Sequence, residues 1–200
     1  MRFALALSWL PLSLALHIPE SLHSRTKHKP ITDCSAEQVI DLLKLVPNTE
    51  KGYFVETFVD PTTIAGTNRS VSTAIYYLLE GSAGQSLWHK LDAAEVWHYY
   101  AGAPLVLSIS KNDGSCTKDH VMGNDLFGGQ RPQVVVKAEE WQSARSLGDW
   151  TLVGTTVAPG FDPAGQVLKP EGWKPKSCKK PIEGPDSFAF VAGSELGNND

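Results

Sequence analysis

The most informative segment of the sequence is Trp88-His89-Lys90-Leu91-Asp92-Ala93-Ala94-Glu95-Val96-Trp97-His98-Tyr99-Tyr100-Ala101-Gly102. Its second half is rich in aromatic and β-branched residues, which favour strands. Side chains two positions apart in a strand point the same way. One face of this strand therefore carries Glu95, Trp97 and Tyr99. Gly102 suits a tight turn before the next strand, because glycine readily adopts positive φ.

The chain around this stretch is made of short segments rich in β-branched and aromatic residues, separated by glycine, proline and asparagine. About eight strands are expected among nine candidate segments. The candidate segments are Tyr53–Val59, Ser72–Leu79, Leu87–Lys90, Glu95–Ala101, Leu105–Ser110, His120–Met122, Gln133–Val136, Trp141–Ser146 and Thr151–Val157. Asn112-Asp113-Gly114 predicts a hairpin turn, because these residue types tolerate positive φ. Many short strands at close spacing predict a sandwich or a closed barrel.

One helix is predicted before the strands. Ser35 followed by Gln38 forms a capping-box pattern ahead of an apolar run that reaches Val46. Pro47 is expected to end this helix, because proline lacks the N–H that a helix interior requires. The apolar spacing gives the helix a face that can cover one side of a sheet.

Length and composition indicate one globular domain with tails. Of the 200 residues, 42% are hydrophobic and 20% are charged, and the mean hydropathy is -0.19. These values are typical of a folded protein that is neither disordered nor membrane-spanning. The formal net charge of -4 and the lack of a long basic cluster argue against a nucleic-acid partner.

The N-terminus has the pattern of a secretory signal peptide. Met1-Arg2 carries a positive charge, and an apolar run follows as far as Ala15. This run is too short to span a membrane, because a spanning helix needs about 20 residues. We expect a signal peptide and leader over 1–24, which would place the chain in the secretory pathway or outside the cell with no membrane contact after cleavage. The alternative is a cytoplasmic protein with an apolar tail. The expected domain covers 32–173, followed by a tail at 174–200 that is too rich in proline for regular structure.

Three cysteines and one sequon bear on export. Cys34, Cys116 and Cys178 cannot all pair within one chain. A bridge between Cys34 and Cys178 would tie the two flanks of the domain together, and three unlinked thiols are the alternative. Asn68-Arg69-Ser70 fits the N-glycosylation pattern, so Asn68 is a candidate glycan site in an exported chain.

The spacing from His89 to Gly102, H-x-L-x-x-x-E-x-x-x-x-x-x-G, resembles the first motif of the cupins. The chain is identified as a member of the cupin_5 family, also called domain-of-unknown-function family 985, in the RmlC-like cupin superfamily. Similar blocks are Lys51-Gly52-Tyr53-Phe54-Val55-Glu56-Thr57, Thr73-Ala74-Ile75-Tyr76-Tyr77-Leu78-Leu79, Glu95-Val96-Trp97-His98-Tyr99-Tyr100-Ala101-Gly102, Arg131-Pro132-Gln133-Val134-Val135-Val136, Trp141-Gln142-Ser143-Ala144-Arg145-Ser146 and Val157-Ala158-Pro159-Gly160-Phe161-Asp162. The resemblance implies a mainly β fold, the cupin double-stranded β-helix (jelly-roll) barrel with one N-terminal helix. It also implies a homodimer through outer barrel strands.

Several positions depart from the family pattern. Leu91 stands where metal-binding cupins have a further histidine, and Gln142 occupies the place of the second motif's histidine. The family's HPEGG block reads Asn48-Thr49-Glu50-Lys51-Gly52 here, and Val59 replaces an expected arginine.

The resemblance implies that Glu95 faces the barrel lumen. Trp97 and Tyr99 would then line it, and Glu56 would be a further inward carboxylate with Phe54 and Phe58 beside it. Candidate ligand-binding residues are Tyr53, Glu56, Tyr76, Trp97, Tyr99 and Gln142.

His89 and Glu95 are the candidate catalytic pair. An enclosed pocket can shift the pKa of both groups toward neutrality, so that they exchange protons with a ligand. The alternatives are a histidine that only orients a ligand, and a carboxylate that is paired with a donor such as Arg145 or Tyr76.

A metal site would have to use His89, Glu95 and Gln142. Catalytic zinc or iron sites typically have three strong nitrogen, sulfur or carboxylate ligands, and a glutamine amide is a weak substitute for histidine. We therefore expect no cofactor, with a divalent metal as the alternative.

The predicted function follows from these residues and the resemblance. We expect a cupin that binds a small-molecule ligand and catalyses an acid–base isomerisation, epimerisation or cyclisation in specialised metabolism. The alternatives are a non-catalytic ligand-binding cupin and a metal-dependent cupin enzyme.

Overall fold

The computed structural model describes residues 29–178. The predicted signal peptide and leader at 1–24, and the part of the predicted tail beyond residue 178, lie outside the described residues. The folded unit that carries the helix and the strands begins at Ile31. In the described part of the chain, no helix is long and apolar enough to cross a membrane.

One helix and eleven strands are present between residues 31 and 178. The helix α1 is Ala36–Leu43, and the strands are β1 (Val46–Pro47), β2 (Tyr53–Val59), β3 (Thr73–Glu80), β4 (His89–Leu91), β5 (Ala94–Gly102), β6 (Leu105–Ser110), β7 (Lys118–Met122), β8 (Gln133–Val136), β9 (Trp141–Ser146), β10 (Trp150–Ala158) and β11 (Gln166–Leu168). This content confirms a mainly β fold with one N-terminal helix.

The strands form two antiparallel sheets. One has six strands in the order β1-β2-β3-β10-β5-β8, and the other has five in the order β11-β4-β9-β6-β7. Neighbours in these orders are mostly distant in sequence, so each sheet is assembled from several parts of the chain. The two sheets face each other and enclose the interior of the barrel.

The helix is shorter than the sequence predicts. Its capping box is present, because the Ser35 side chain accepts from the Gln38 backbone N–H and the Gln38 side chain accepts from the Ser35 backbone N–H. The helix ends at Leu43, because Lys44 adopts a left-handed conformation with φ 57° and caps it. The chain is therefore extended before it reaches Pro47, and Val46 of β1 pairs with Phe54 of β2.

Strand β11 was not expected, because the chain beyond Phe161 is rich in proline. An Asp162 side chain that accepts from the Ala164 N–H begins a short 3-10 turn. The next three residues then pair with β4, with Gln166 opposite Leu91 and Leu168 opposite His89. The prolines thus flank the strand, where they remove no hydrogen bond from the ladder.

The predicted turn between β6 and β7 is confirmed by its backbone. Asn112 has φ 59° and Gly114 has φ 94°. This loop also receives the C-terminal segment, since the Lys176 backbone N–H donates to Asn112 Oδ1 at 2.7 Å.

The disulfide joins a different pair of cysteines from the predicted one. Cys116 pairs with Cys178 across a sequence separation of 62, because the C-terminal segment lies beside the loop that follows β6. Cys34 lies at the opposite flank, immediately before α1, where its carbonyl accepts from Trp150 Nε1 at 2.9 Å. Both expectations, a Cys34–Cys178 bridge and three unlinked thiols, are therefore wrong.

The main apolar cluster lies between the two sheets. Its fully buried members include Leu105, Leu107, Met122, Ala144 and Val153. A second cluster joins α1 to the outer face of the six-stranded sheet. Tyr77 and Trp97 belong to the first cluster and also line a cavity that the apolar side chains leave open.

Candidate functional site

A cavity of about 520 Å³ lies between the sheets. Its walls come from β1, β2, β3, β4, β5, β10 and β11 and from two connecting segments at 48–50 and 161–163. Its apolar wall includes Phe54, Ile75, Tyr77, Trp97, Val157 and Phe161, and its polar groups include Glu50, His89, Glu95 and Gln166. A mostly apolar cavity of this size with a few converging polar groups is typical of a small-molecule site.

Glu50 and His89 form a pair on the cavity wall. His89 is 3% exposed, and its Nδ1 lies 3.3 Å from Glu50 Oε2 and 3.3 Å from the Leu87 carbonyl oxygen. Both neighbours accept hydrogen bonds, so Nδ1 carries the proton in this arrangement. Nε2 hydrogen-bonds to none of the described residues and is the ring nitrogen left for a ligand.

A tight loop holds Glu50 in place. Its backbone carbonyl accepts from the Leu87 N–H at 3.0 Å, and the next carbonyl, of Lys51, accepts from the Tyr77 hydroxyl at 3.0 Å. Gly52 has φ +69°, and a Cβ at this position would lie 2.4 Å from the Leu78 carbonyl oxygen. Only glycine fits this approach without displacing the loop.

The carboxyl of Glu50 is held in a low-polarity environment. Its Oε1 accepts from Gln166 Nε2 at 2.5 Å. Burial raises the pKa of Glu50 above its ordinary value; the nearby His89 opposes this shift, and Glu95 adds to it. Glu50 therefore keeps a proton to higher pH in the folded protein than in the unfolded chain.

This shift predicts how stability depends on pH. The contribution of Glu50 to stability is complete when the pH is below the pKa of this group in the unfolded chain, near 4.5. It is lost as the pH rises through the higher pKa of the folded state. The variant Glu50→Gln cannot titrate at this position, so its free energy of unfolding should fall less over that pH range. Urea unfolding at a series of pH values measures the difference. If the free energy of unfolding falls as steeply with pH in the variant as in the wild type, the prediction is contradicted.

Glu95, Gln142 and Trp97 form a buried chain of hydrogen bonds. Gln142 is 1% exposed. Its Nε2 donates to Glu95 Oε2 at 2.5 Å, and its Oε1 accepts from Trp97 Nε1 at 2.8 Å. Because an indole N–H can only donate, the amide oxygen must face Trp97 and the amide nitrogen must face Glu95.

The three residues predicted as possible metal ligands do not fit a metal. The amide oxygen of Gln142 is used by Trp97, and its NH₂ group points at Glu95, so the set offers His89 and Glu95 rather than three ligands. Within residues 29–178, no group of three or more His, Cys, Asp or Glu side chains is arranged to hold a metal ion.

Several predicted site residues meet in the cavity. His89, Glu95 and Trp97 line it, as does Glu56, which lies at an exposed part of the wall. Gln142 lies behind this surface, where it holds Glu95. Gln142 is thus the partner of Glu95, instead of Arg145, which is exposed.

Three predicted ligand-binding tyrosines lie elsewhere. Tyr53 and Tyr76 pack in the cluster beneath α1, because they alternate with the inward-facing residues of β2 and β3. The Tyr99 hydroxyl donates to the Gly102 carbonyl at 2.5 Å, and this side chain does not reach the cavity wall. The structure does not bring these three residues to the site.

Sequence reasoning missed Glu50, Tyr77 and Gln166 as site residues. Glu50 occupies the position of the glutamate in the HPEGG-like block, and that position was a usable signal. Tyr77 shares a face with Ile75 by strand alternation. Nothing in the sequence indicated that the proline-rich segment would bring Gln166 to Glu50.

The fold and the site together define a class of protein. Two facing antiparallel sheets that enclose a cavity with a motif histidine and glutamate make this a cupin-type barrel with a small-molecule cavity. A family model described as Cupin superfamily (DUF985) matches residues 37–168, and the chain belongs to this family, Cupin_5. The family resemblance seen in the sequence is confirmed.

Solved structures share the barrel. A protein from Shewanella oneidensis is 28% identical, with a TM-score of 0.64 over 68% of this chain and 85% of that chain. A hypothetical protein from Leishmania major is 26% identical, with a TM-score of 0.62 over 67% of this chain and 86% of that chain. The family match and the two antiparallel sheets confirm the predicted cupin fold. No curated protein matches the sequence.

Proposed function

We propose that this protein binds a small organic molecule in the cavity and catalyses a proton transfer within it. The reaction class is an isomerisation, epimerisation or cyclisation that begins with removal of a proton from a carbon next to a carbonyl group. The observation that carries the proposal is the Glu50–His89 pair on the cavity wall.

His89 is the group that moves the proton. With Nδ1–H held by Glu50 and the Leu87 carbonyl, Nε2 can accept a proton from the ligand and return it to another carbon or to the other face. The imidazolium formed in between donates its Nδ1–H to the Leu87 carbonyl oxygen and to Glu50, and Glu50 stabilises it fully once the Glu50 carboxyl is ionised. This is the role that a buried carboxylate has beside a catalytic histidine in other enzymes.

The cavity also offers hydroxyl groups to the oxygen of an enolate. Thr73 and Thr155 line the wall. Thr73 Oγ1 accepts from the Phe161 backbone N–H at 2.9 Å, which leaves its own hydrogen available to donate. Apolar neighbours such as Ile75 and Trp97 limit water around these groups, which strengthens such interactions.

Solvent hydrogen exchange tests the proposal without knowledge of the natural substrate. The purified protein is incubated in D₂O with a panel of small cyclic ketones, and the loss of α-proton signals is followed by NMR. His89→Gln should slow the protein-dependent exchange by about 100-fold, the usual scale of general-base catalysis. Glu50→Gln should slow it less, because the base itself remains.

A matched control is Tyr53→Phe, which changes a side chain on the outer face of β2 and should exchange like the wild type. Equal rates in wild type and His89→Gln would overturn the proposal. Ketones that bind in the cavity without exchange would instead favour the non-catalytic ligand-binding cupin.

Export, glycosylation and homodimerisation stay predictions. The Cys116–Cys178 bridge supports export, because disulfides persist mainly in oxidising compartments. Asn68 is exposed, as a glycan acceptor must be.

A further inference from the structure

The ionisable groups of the cavity wall are mostly acids, and no group there is permanently cationic. The wall contains the carboxyl groups of Glu50, Glu56 and Glu95 and the imidazole of His89, and no lysine or arginine is among the described residues that line it. A bound ligand is therefore surrounded by carboxyl groups without a permanent positive charge among the lining residues.

The lysines next to the two key residues are used elsewhere. Lys51 follows Glu50 in the chain, but its Nζ donates to Glu171 Oε1 at 2.8 Å. Lys90 follows His89, and its ammonium group pairs with Glu139. Neither lysine is free to neutralise the cavity.

Glu95 presents an oxygen to the cavity. Its side chain is 6% exposed, and its Oε2 is bound by the neutral amide of Gln142. Its Oε1 accepts no hydrogen bond from the described residues, and within those residues no fully buried side-chain oxygen or nitrogen lacks a partner. Oε1 must therefore open into the cavity, where a charged donor would complete its bonding.

The aromatic wall beside Glu95 suits the same kind of group. Trp97 and Tyr77 meet edge to face, with ring centroids 5.9 Å apart, and Phe54 and Phe161 also line the cavity. Aromatic faces attract cations, and tryptophan does so most strongly. A ligand anion would have to be buried beside Glu95 without a counter-charge, which is unfavourable.

We infer that the ligand of this cavity is a small amine, whose protonated nitrogen binds Glu95 and whose apolar body packs against the aromatic wall. This inference rests on the proposed function only in taking this cavity as the binding site. It assigns the substrate class, which the proton-transfer chemistry alone leaves open.

The test compares three probes that share an indole ring and differ in charge. Tryptamine is a cation at neutral pH, tryptophol is neutral and indole-3-acetate is an anion. Isothermal titration calorimetry of the full chain should give the tightest binding for tryptamine, by about 10-fold or more over tryptophol, since one charged contact in a buried site is worth at least that factor. Indole-3-acetate should bind most weakly.

The variant Glu95→Gln keeps an oxygen that can accept from Gln142 but removes the charge. It should bind tryptophol like the wild type and lose the preference for tryptamine. The matched control Glu37→Gln removes the same charge from an exposed position at the start of α1 and should keep the preference. This pair separates a contact in the cavity from the effect of overall net charge.

Tighter binding of indole-3-acetate, equal binding of tryptamine and tryptophol, or a preference for tryptamine that survives Glu95→Gln would each overturn the inference. The two proposals fail separately. Selective binding of tryptamine together with no ketone exchange would leave the amine inference standing and overturn the catalytic proposal. Exchange that depends on His89, together with no preference among the indoles, would do the reverse.

Discussion

Replacing Gln142 by leucine should lower the free energy of unfolding by about 3–5 kcal/mol. The change keeps the approximate volume but leaves the Trp97 N–H without its acceptor and Glu95 without its donor, in a part of the structure where Gln142 is 1% exposed. A buried donor that loses its partner costs about 1–3 kcal/mol, and a hydrogen bond to a charged group contributes about 1.5–3 kcal/mol. Urea unfolding measures the loss.

A control for this prediction is Gln133→Leu, which removes a glutamine that is exposed on β8 and should change stability by less than about 0.5 kcal/mol. A double-mutant cycle isolates the contact with Glu95. In a Glu95→Leu background, Gln142→Leu should be less damaging, because no carboxylate is left to satisfy and only the Trp97 N–H loses its partner. A loss below about 1 kcal/mol in the single variant would contradict the hydrogen-bond chain.

Removing the disulfide with Cys116→Ser and Cys178→Ser should lower the free energy of unfolding by about 2–4 kcal/mol. The bridge closes a loop with a sequence separation of 62, and a cross-link of this length restricts the unfolded chain strongly. Beside the bridge, the Thr117 N–H donates to Ser177 Oγ at 2.8 Å. The loop-entropy model assigns most of the stabilisation by a disulfide to restriction of the unfolded chain.

Denaturant unfolding of the double variant and of wild type, with and without a reducing agent, measures this effect. Reduced wild type should match the double variant. The control Cys34→Ser changes a cysteine outside the bridge and should keep the sensitivity of wild type to reduction. Equal stability of oxidised and reduced wild type would show that the bridge does not contribute.

Strand alternation places Glu95, Trp97 and Tyr99 on one face of β5, and the first two line the cavity whereas Tyr99 does not. Glu95 and Trp97 point into the cavity two residues apart on β5, as the period of a strand requires. The same rule places Tyr53 and Tyr76 outside, since Phe54 and Tyr77 point inward. The prediction that Tyr53 and Tyr76 bind the ligand did not apply this alternation to β2 and β3.

Irregular structure limited the rest of the prediction. In β2 the register shifts between Glu56 and Phe58, so Phe58 is 47% exposed although strict alternation would turn it inward beside Glu56. A bulge adds one residue and reverses the faces that follow. Its position depends on pairing with β3, which one strand's sequence does not contain.

Glu50 was missed for a related reason. It lies in a loop, where no periodicity indicates direction, and its position depends on contacts with Leu87 and Tyr77 from later in the chain. Family spacing was the only usable signal there.

The bond between Gln166 and Glu50 joins residues 116 positions apart, so the cavity is complete only when both ends of the domain are in place. Closing a loop of this length costs chain entropy, which the other contacts of the barrel must offset. If β11 were undocked, Glu50 and His89 would lack the amide that fixes Glu50. A ligand that binds only the completed cavity would therefore stabilise the closed barrel over any state in which β11 is undocked.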